Sequence, residues 1–356
     1  MEASTLRIVT WNINALETKL VETQLTKSLA LVPGYESYWA FSKDRKGYSG
    51  VVTYARERWA PSSASSDCLE LEEELRREGR VVMTHHGSLT VINVYVPNGG
   101  DRPQRLRLGP KLAFLRALRE KVESLHADGQ MVVLVGDLNL SASPMDVHPT
   151  IDFAELFSPE EMAEMAALLR LLKDTWREKH ADTTDEYTVW NEKTSARAFN
   201  RGQRIDFILC SPWLAAHVQK CEILSQQVLP PKWSDHAAVV INISLANDSP
   251  LAFPPLRSQP CAEWKRLKDT FVDSKQRSIK DFWISKAAKK SAPEVAKPSE
   301  ASQAEEVVGA PPSSERISQE TDSTKEASKK RPLGWSLAAA AAAKTPRNDA
   351  STSALP

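Results

Sequence analysis

Only four cysteines occur in the chain, Cys68, Cys210, Cys221 and Cys261, and no two of them form a Cys-x-x-Cys pair. Neither a cysteine-held zinc ion nor a disulfide framework is indicated, and the spacing suits a reducing compartment. Net charge is missing too. With 46 basic and 46 acidic residues, any pull on nucleic acid must come from a local basic face. No apolar run is long enough to span a bilayer. The amino terminus, with Glu2 and Arg7 around a short β-rich run, has no signal-peptide core. A soluble intracellular protein is expected, with no membrane partner. Internal repeats are absent. Beyond about residue 245 large apolar residues are scarce among Ser, Ala, Pro, Lys and Glu, so 246–356 cannot bury enough surface to offset its ordering entropy and is expected to be a disordered tail. The run Ala338 to Ala343 is too short to hold a helix alone.

What is present lies in 5–245, where apolar runs alternate with turn clusters and helical stretches, the pattern of a mixed α/β domain. Strands are expected at Leu6 to Thr10, Gly50 to Ala55, Val81 to Thr84, Leu89 to Tyr95, Met131 to Val135, Arg204 to Leu209 and Ala237 to Ile243. Leu112, Leu115, Leu118, Val122 and Leu125 recur at helical spacing in 111–125, which predicts an outer helix. A second is predicted over 158–172, opened by Ser158-Pro159-Glu160-Glu161 as cap, proline and acidic first turn.

Three polar motifs stand at the ends of such runs. Gly136-Asp137-Leu138-Asn139 follows the apolar run 131–135, so Asp137 and Asn139 should emerge at a strand's carboxyl end. Arg204-Ile205-Asp206-Phe207 is the second. Ser234-Asp235-His236 precedes Ala237 to Ile241 and sets a carboxylate beside an imidazole. Together they read as one hydrolytic metal site. Cleaving a phosphodiester in water needs a hard cation, a positioned water and a donor to the phosphoryl oxygens.

With Trp11-Asn12-Ile13-Asn14, Glu17-Thr18-Lys19, Gly47 to Val51, Asn93 to Pro97 and Asn200 to Asp206 in the same order, the chain resembles the exonuclease III-type abasic-site (AP) endonucleases of the endonuclease/exonuclease/phosphatase superfamily. The AP endonuclease 2 type is the nearest match. The resemblance implies a four-layered α/β sandwich, two packed mixed β-sheets flanked by helices, with a disordered carboxyl-terminal tail. It also implies a DNA repair nuclease that hydrolyses phosphodiesters at abasic sites and DNA 3′ ends (AP endonuclease, 3′-5′ exonuclease, 3′-phosphodiesterase) in base excision repair.

The residues it implicates are as follows. Asn12, Glu17, Asp137, Asn139, Asp235 and His236 are the expected ligands or near neighbours of a metal ion, magnesium first, with manganese an alternative. Tyr95, Asp137, Asn139, Asp206 and His236 are the catalytic set, Asp206 fixing the tautomer of His236. Asp137 and the Asp206–His236 pair both remain candidates for general base. Tyr48, Asn98, Asn200 and Arg204 are expected DNA contacts, although Asn98 and Asn200 also suit turns. His85, His86, His126, His148, His180 and His217 are expected at the surface. The aromatic wall that such enzymes build around an abasic sugar is replaced here by Val189 and Gln203. A looser pocket suits ordinary or damaged 3′ ends.

One departure is large. Asn12 and Glu17 stand five residues apart, whereas a crossover between parallel strands takes about a dozen or more. The family that the chain resembles has a crossover helix and most of a second strand here, so the resemblance implies an internal deletion between Asn14 and Glu17, and lowered stability and impaired activity are expected. In the tail, Gln276, Ile279, Phe282 and Trp283 in 276–283 resemble the box that docks proteins on the DNA sliding clamp, with one helical turn putting the apolar three on one side. Lys329-Lys330-Arg331-Pro332 suits nuclear import. The expected partners are damaged double-stranded DNA and the clamp, the expected state a monomer, the expected place the nucleus. The competing expectation is a catalytically impaired isoform acting as a non-enzymatic clamp-binding protein. A phosphatase or sphingomyelinase of the same superfamily is a third.

Overall fold

The computed structural model describes residues 4–13, 25–45, 47–100, 104–224, 228–245 and 261–271. Glu17, the clamp box and the basic tetrad lie outside them. Thirteen strands are found among the described residues: β1 (Ser4–Thr10), β2 (Tyr35–Ala40), β3 (Val51–Arg56), β4 (Ser63–Ser65), β5 (Val81–His86), β6 (Leu89–Tyr95), β7 (Met131–Asp137), β8 (Lys173–Asp174), β9 (Val189–Trp190), β10 (Gly202–Gln203), β11 (Asp206–Cys210), β12 (Val218–Ile223) and β13 (Val239–Leu245). They form a six-stranded sheet in the order β4-β5-β6-β7-β11-β8, a three-stranded sheet β1-β13-β12, and the pairs β2-β3 and β9-β10. Among the described residues only β6 and β7 run parallel.

The centre of the large sheet explains its apolar sequence. Val132 and Leu134 of β7 enter a core with Phe114, Leu115, Leu118 and Leu168 of the helices Leu108–Ala127 and Pro159–Leu171. Val133 and Val135 point the other way, into a core with Leu6, Ile241 and Ile243 of the three-stranded sheet. A strand buried on both faces has no polar face to alternate, so it reads as an unbroken apolar run. The predicted helix over 158–172 is present with its capping box, Glu161 N–H donating to Ser158 Oγ and Ser158 N–H to Glu161 Oε2.

Two expectations are modified. The second layer of the sandwich is divided, because among the described residues β1 and β2 do not pair and Val9 on β1 is half exposed. The residues that connect them include the suspected deletion. The tail is also not uniformly without structure. A helix at 262–271 lays Trp264 and Leu267, with Cys261 just before it, on an apolar patch of Tyr38, Ala40, Ala55, Ala64 and Val82. The described body therefore includes 261–271 as well as the residues up to 245.

Candidate active site

Strand register brings the carboxylates together. β11 lies antiparallel to β7 with Asp206 opposite Asp137, and β6 lies parallel to β7 with Tyr95 level with Asp137. Gly136 makes this possible: its φ is +127°, and a Cβ there would lie 1.9 Å from the Val94 carbonyl oxygen. Asp235 and His236 arrive on the segment leading into β13, held by a bridge from His236 to Val189 and by the Trp190 N–H donating to the Asp235 carbonyl at 3.2 Å. Ser234 ties this segment to the end of β1, its hydroxyl donating to the Asn12 carbonyl at 2.7 Å and accepting from the His236 N–H at 2.9 Å. The Trp11 indole N–H donates to the His236 carbonyl at 3.2 Å.

The side chains then form one network. His236 Nδ1 donates to Asp206 Oδ2 at 2.7 Å, which turns Nε2 toward Asp137, 4.0 Å from its Oδ2. Asp137 Oδ2 accepts from Asn12 Nδ2 at 2.8 Å and Oδ1 from the Asn139 N–H at 2.7 Å. The Asn139 amide donates to the Val96 carbonyl at 2.8 Å and accepts from Asn98 at 3.4 Å. Burial pushes the Asp137 carboxyl up, the neighbouring Asp206 adds to this, and the result is about 6. For His236, burial acts downward, but the Asp206 carboxylate outweighs it and raises the imidazole to about 9. Burial and then Asp137 raise the Tyr95 phenol. A cavity of about 450 Å³ opens over Asn12, Tyr95, Asn98, Asp137, Asn139, Asp235 and His236.

The donor set fits a hard divalent cation. Asp137, Asp206 and His236 each offer a ligand atom within 4.8 Å of the others, and Asp206 Oδ1 is buried without a hydrogen bond. Asp206 Oδ2 and His236 Nδ1 satisfy each other, which leaves Asp137, Asp206 Oδ1 and His236 Nε2 in this cluster, and Asn12, Asn139 and Asp235 on the same cavity, as residues that could hold the ion, most of them oxygen donors.

Not every expected contact is available. Arg204 is 1% exposed and its guanidinium is occupied by Asp146 at 2.8 Å and Asp174 at 2.7 Å, with Trp176 and Phe207 against its plane. It braces β11 from within and cannot reach a DNA strand. Asn200 is exposed in a left-handed turn, with Oδ1 accepting from the Trp190 indole and Nδ2 donating to the Asp185 carbonyl. Tyr48 lies away from the main cavity, on a neighbouring one of about 340 Å³ that also contains Trp11, Asn12, Tyr95 and Asp137. Its ring has Arg80 and Arg45 over it, at 5.2 and 5.3 Å. His86, expected at the surface, is buried, with Nδ1 against the Trp59 carbonyl and Nε2 against the Thr84 hydroxyl.

Sequence reading overlooked the support behind Asn139. Lys111 Nζ donates to the Asn139 carbonyl at 2.7 Å and to Glu161 Oε1 at 2.6 Å, while Arg105 Nη2 meets Glu161 Oε2 at 2.6 Å. The signal was there: a lysine four residues before Leu115, on the apolar stripe of its helix.

Residues 9–236 match the model of the Endonuclease/Exonuclease/phosphatase family. The chain belongs to this family. Among curated proteins it is 32% identical over 273 residues to DNA-(apurinic or apyrimidinic site) endonuclease 2 of Mus musculus, covering 64% of this chain and 52% of that protein. It is 31% identical over 283 residues to the Homo sapiens protein of the same name, covering 67% and 54%. The chain thus spans about half the length of these relatives. Of solved structures, the APE2 catalytic domain of Xenopus laevis aligns with a TM-score of 0.58 at 28% identity, covering 73% of this chain and 98% of that one. An AP endonuclease from Archaeoglobus fulgidus, at 24% identity and a TM-score of 0.57 over 66% of this chain and 98% of its own, shares the fold.

Proposed function

We propose that this family member is a magnesium-dependent DNA repair nuclease that cleaves phosphodiesters at abasic sites and at 3′ ends, acting as AP endonuclease, 3′-5′ exonuclease and 3′-phosphodiesterase. The observation that carries the reading is the convergence of Asp137, Asn12, Asp235 and the Asp206–His236 pair over one open cavity. Magnesium would be held by Asn12, Asp137 and Asp235, with Glu17 and Asn139 as further candidates, and manganese could replace it. The chemistry a bound ion supplies is neutralisation of charge growing on the phosphoryl oxygens. Asp137 stands on the cavity 4.0 Å from His236 Nε2, where one carboxylate oxygen could face the ion and the other take a proton from water, and we assign it as the general base. His236, raised to about 9, carries its proton and donates to a phosphoryl oxygen, with Asp206 fixing its ring. Tyr95 offers a phenolic donor that stays protonated. Asn139 and Asn98 bind the phosphate, and Tyr48 tracks the strand.

The relatives named endonuclease 2 support DNA as substrate. The sliding clamp as partner, through Gln276, Ile279, Phe282 and Trp283, the monomeric state and a nuclear location directed by 329–332 rest on the sequence. The test uses the full chain on an abasic duplex and on a recessed mismatched 3′ end, with and without magnesium. Cleavage is expected to need magnesium and to fall roughly 10²–10⁴-fold in Asp137→Ala. A chain that binds the clamp but cleaves no faster than the Asp137→Ala control would support the non-enzymatic clamp-binding reading instead.

A further inference from the structure

Next to the main cavity lies a second one of about 460 Å³, and the two share Val189, Gln203 and Asp235 in their walls. Its size falls within the roughly 300–1,000 Å³ of small-molecule sites. Trp190 forms a fixed wall, since its indole N–H is held by Asn200 at 3.1 Å and the Arg197 guanidinium stacks on the ring at 4.2 Å. Ile151 adds apolar surface and Arg201 lies at the rim.

Gln203 stands between the two spaces. Its backbone is committed, pairing with Val189 and accepting from the Thr188 N–H at 2.9 Å. Its side-chain amide, half-buried, makes no hydrogen bond with any described residue. An amide that lines a passage with both its donor and its acceptor free matches the edge of a nucleobase, which presents donors and acceptors in one plane. The geometry points to a nucleobase subsite: the second cavity receives the base of the nucleotide whose phosphate lies in the first, and Gln203 hydrogen-bonds its edge. The inference rests on the phosphodiesterase reading for what fills the first cavity. It makes the site selective for base-bearing nucleotides over bare deoxyribose phosphate, the reverse of a pocket closed around an abasic sugar.

Product binding tests this without turnover. Full-length protein is titrated calorimetrically with thymidine 5′-monophosphate and with 2-deoxyribose 5-phosphate, and saturation-transfer NMR reports which ligand protons touch the protein. The nucleotide is expected to bind roughly tenfold more tightly, with the base protons saturated, and Gln203→Ala to narrow that ratio roughly 3- to 10-fold by removing the hydrogen bonds. Gln203→Trp, which fills the passage, is expected to abolish the preference and the saturation of the base protons. Equal affinities in the unaltered protein, binding of neither ligand, or a preference unchanged in Gln203→Trp would overturn the subsite. Loss of the phosphodiesterase reading shows separately, as absence of magnesium-dependent cleavage.

Discussion

Glu161 has none of its side chain exposed and closes three interactions at once, with Lys111, with Arg105 and with the Ser158 N–H of its own helix cap. Burial acts to raise its pKa, but Lys111, the cap N–H and Arg105 outweigh it and hold the carboxyl below its ordinary value. A carboxylate whose folded pKa is depressed contributes stability above the unfolded value of about 4.3 and loses it as pH falls through the folded value. Glu161→Gln leaves Lys111 buried without its partner, and at pH 7 should cost about 3 kcal/mol. The difference in melting temperature between the two proteins should begin to shrink as pH falls below the unfolded value of about 4.3 and close as it falls through the lower folded value, where the native carboxyl takes up its proton. A difference that stays constant from pH 7 to the acid end of the native range would show that the charge is irrelevant. Residues of this kind mark the limit of the sequence reading. Asp137, Asp206 and His236 were legible because each ends or opens a strand whose apolar pattern is unmistakable. Arg204 was not, because an arginine beside Asp206 looks the same whether it faces DNA or the core. Its fate is decided by Asp146 and Asp174, which are 58 and 30 residues away.

Among the elements, the sequence located β6 to the residue, since Leu89 and Tyr95 bound an alternating run between clear turns. It missed the helix at 262–271 because composition averages over a long, polar stretch, whereas docking needs only a few apolar residues in the right phase. Cys261, Trp264 and Leu267 recur at intervals of three and fall on a surface that β2, β3, β4 and β5 already make apolar. The Cys261 thiol also lies 3.4 Å from the Tyr38 hydroxyl. Trp264 is 7% exposed, so Trp264→Ala should destabilise the body by about 3–5 kcal/mol. An unchanged melting temperature in thermal denaturation would show that this helix is not docked in solution. The apolar patch left uncovered would otherwise span strands of two sheets, which soluble proteins rarely leave exposed.

For the whole molecule, the position of that helix sets how many residues separate the described body from 276–283, the segment proposed to bind the clamp. An ordered body ending at 245 would leave some thirty residues of slack before Gln276, with an end-to-end distance of about 30 Å as a flexible coil. With the helix docked through residue 271 only 272–275 intervene, and four residues span about 14 Å even when fully extended. A clamp bound at 276–283 would then hold the body at high effective concentration against the DNA threaded through it. Inserting about twenty Gly and Ser residues after Phe271 leaves both the box and the active site intact, so clamp affinity measured by calorimetry should not change, nor should cleavage of DNA without the clamp. Stimulation of cleavage by the clamp should fall, because effective concentration declines as roughly the −3/2 power of tether length, and a short tether is what the docked helix provides. Stimulation that is undiminished by the insertion would mean that recruitment depends on the box alone and not on where the ordered body ends.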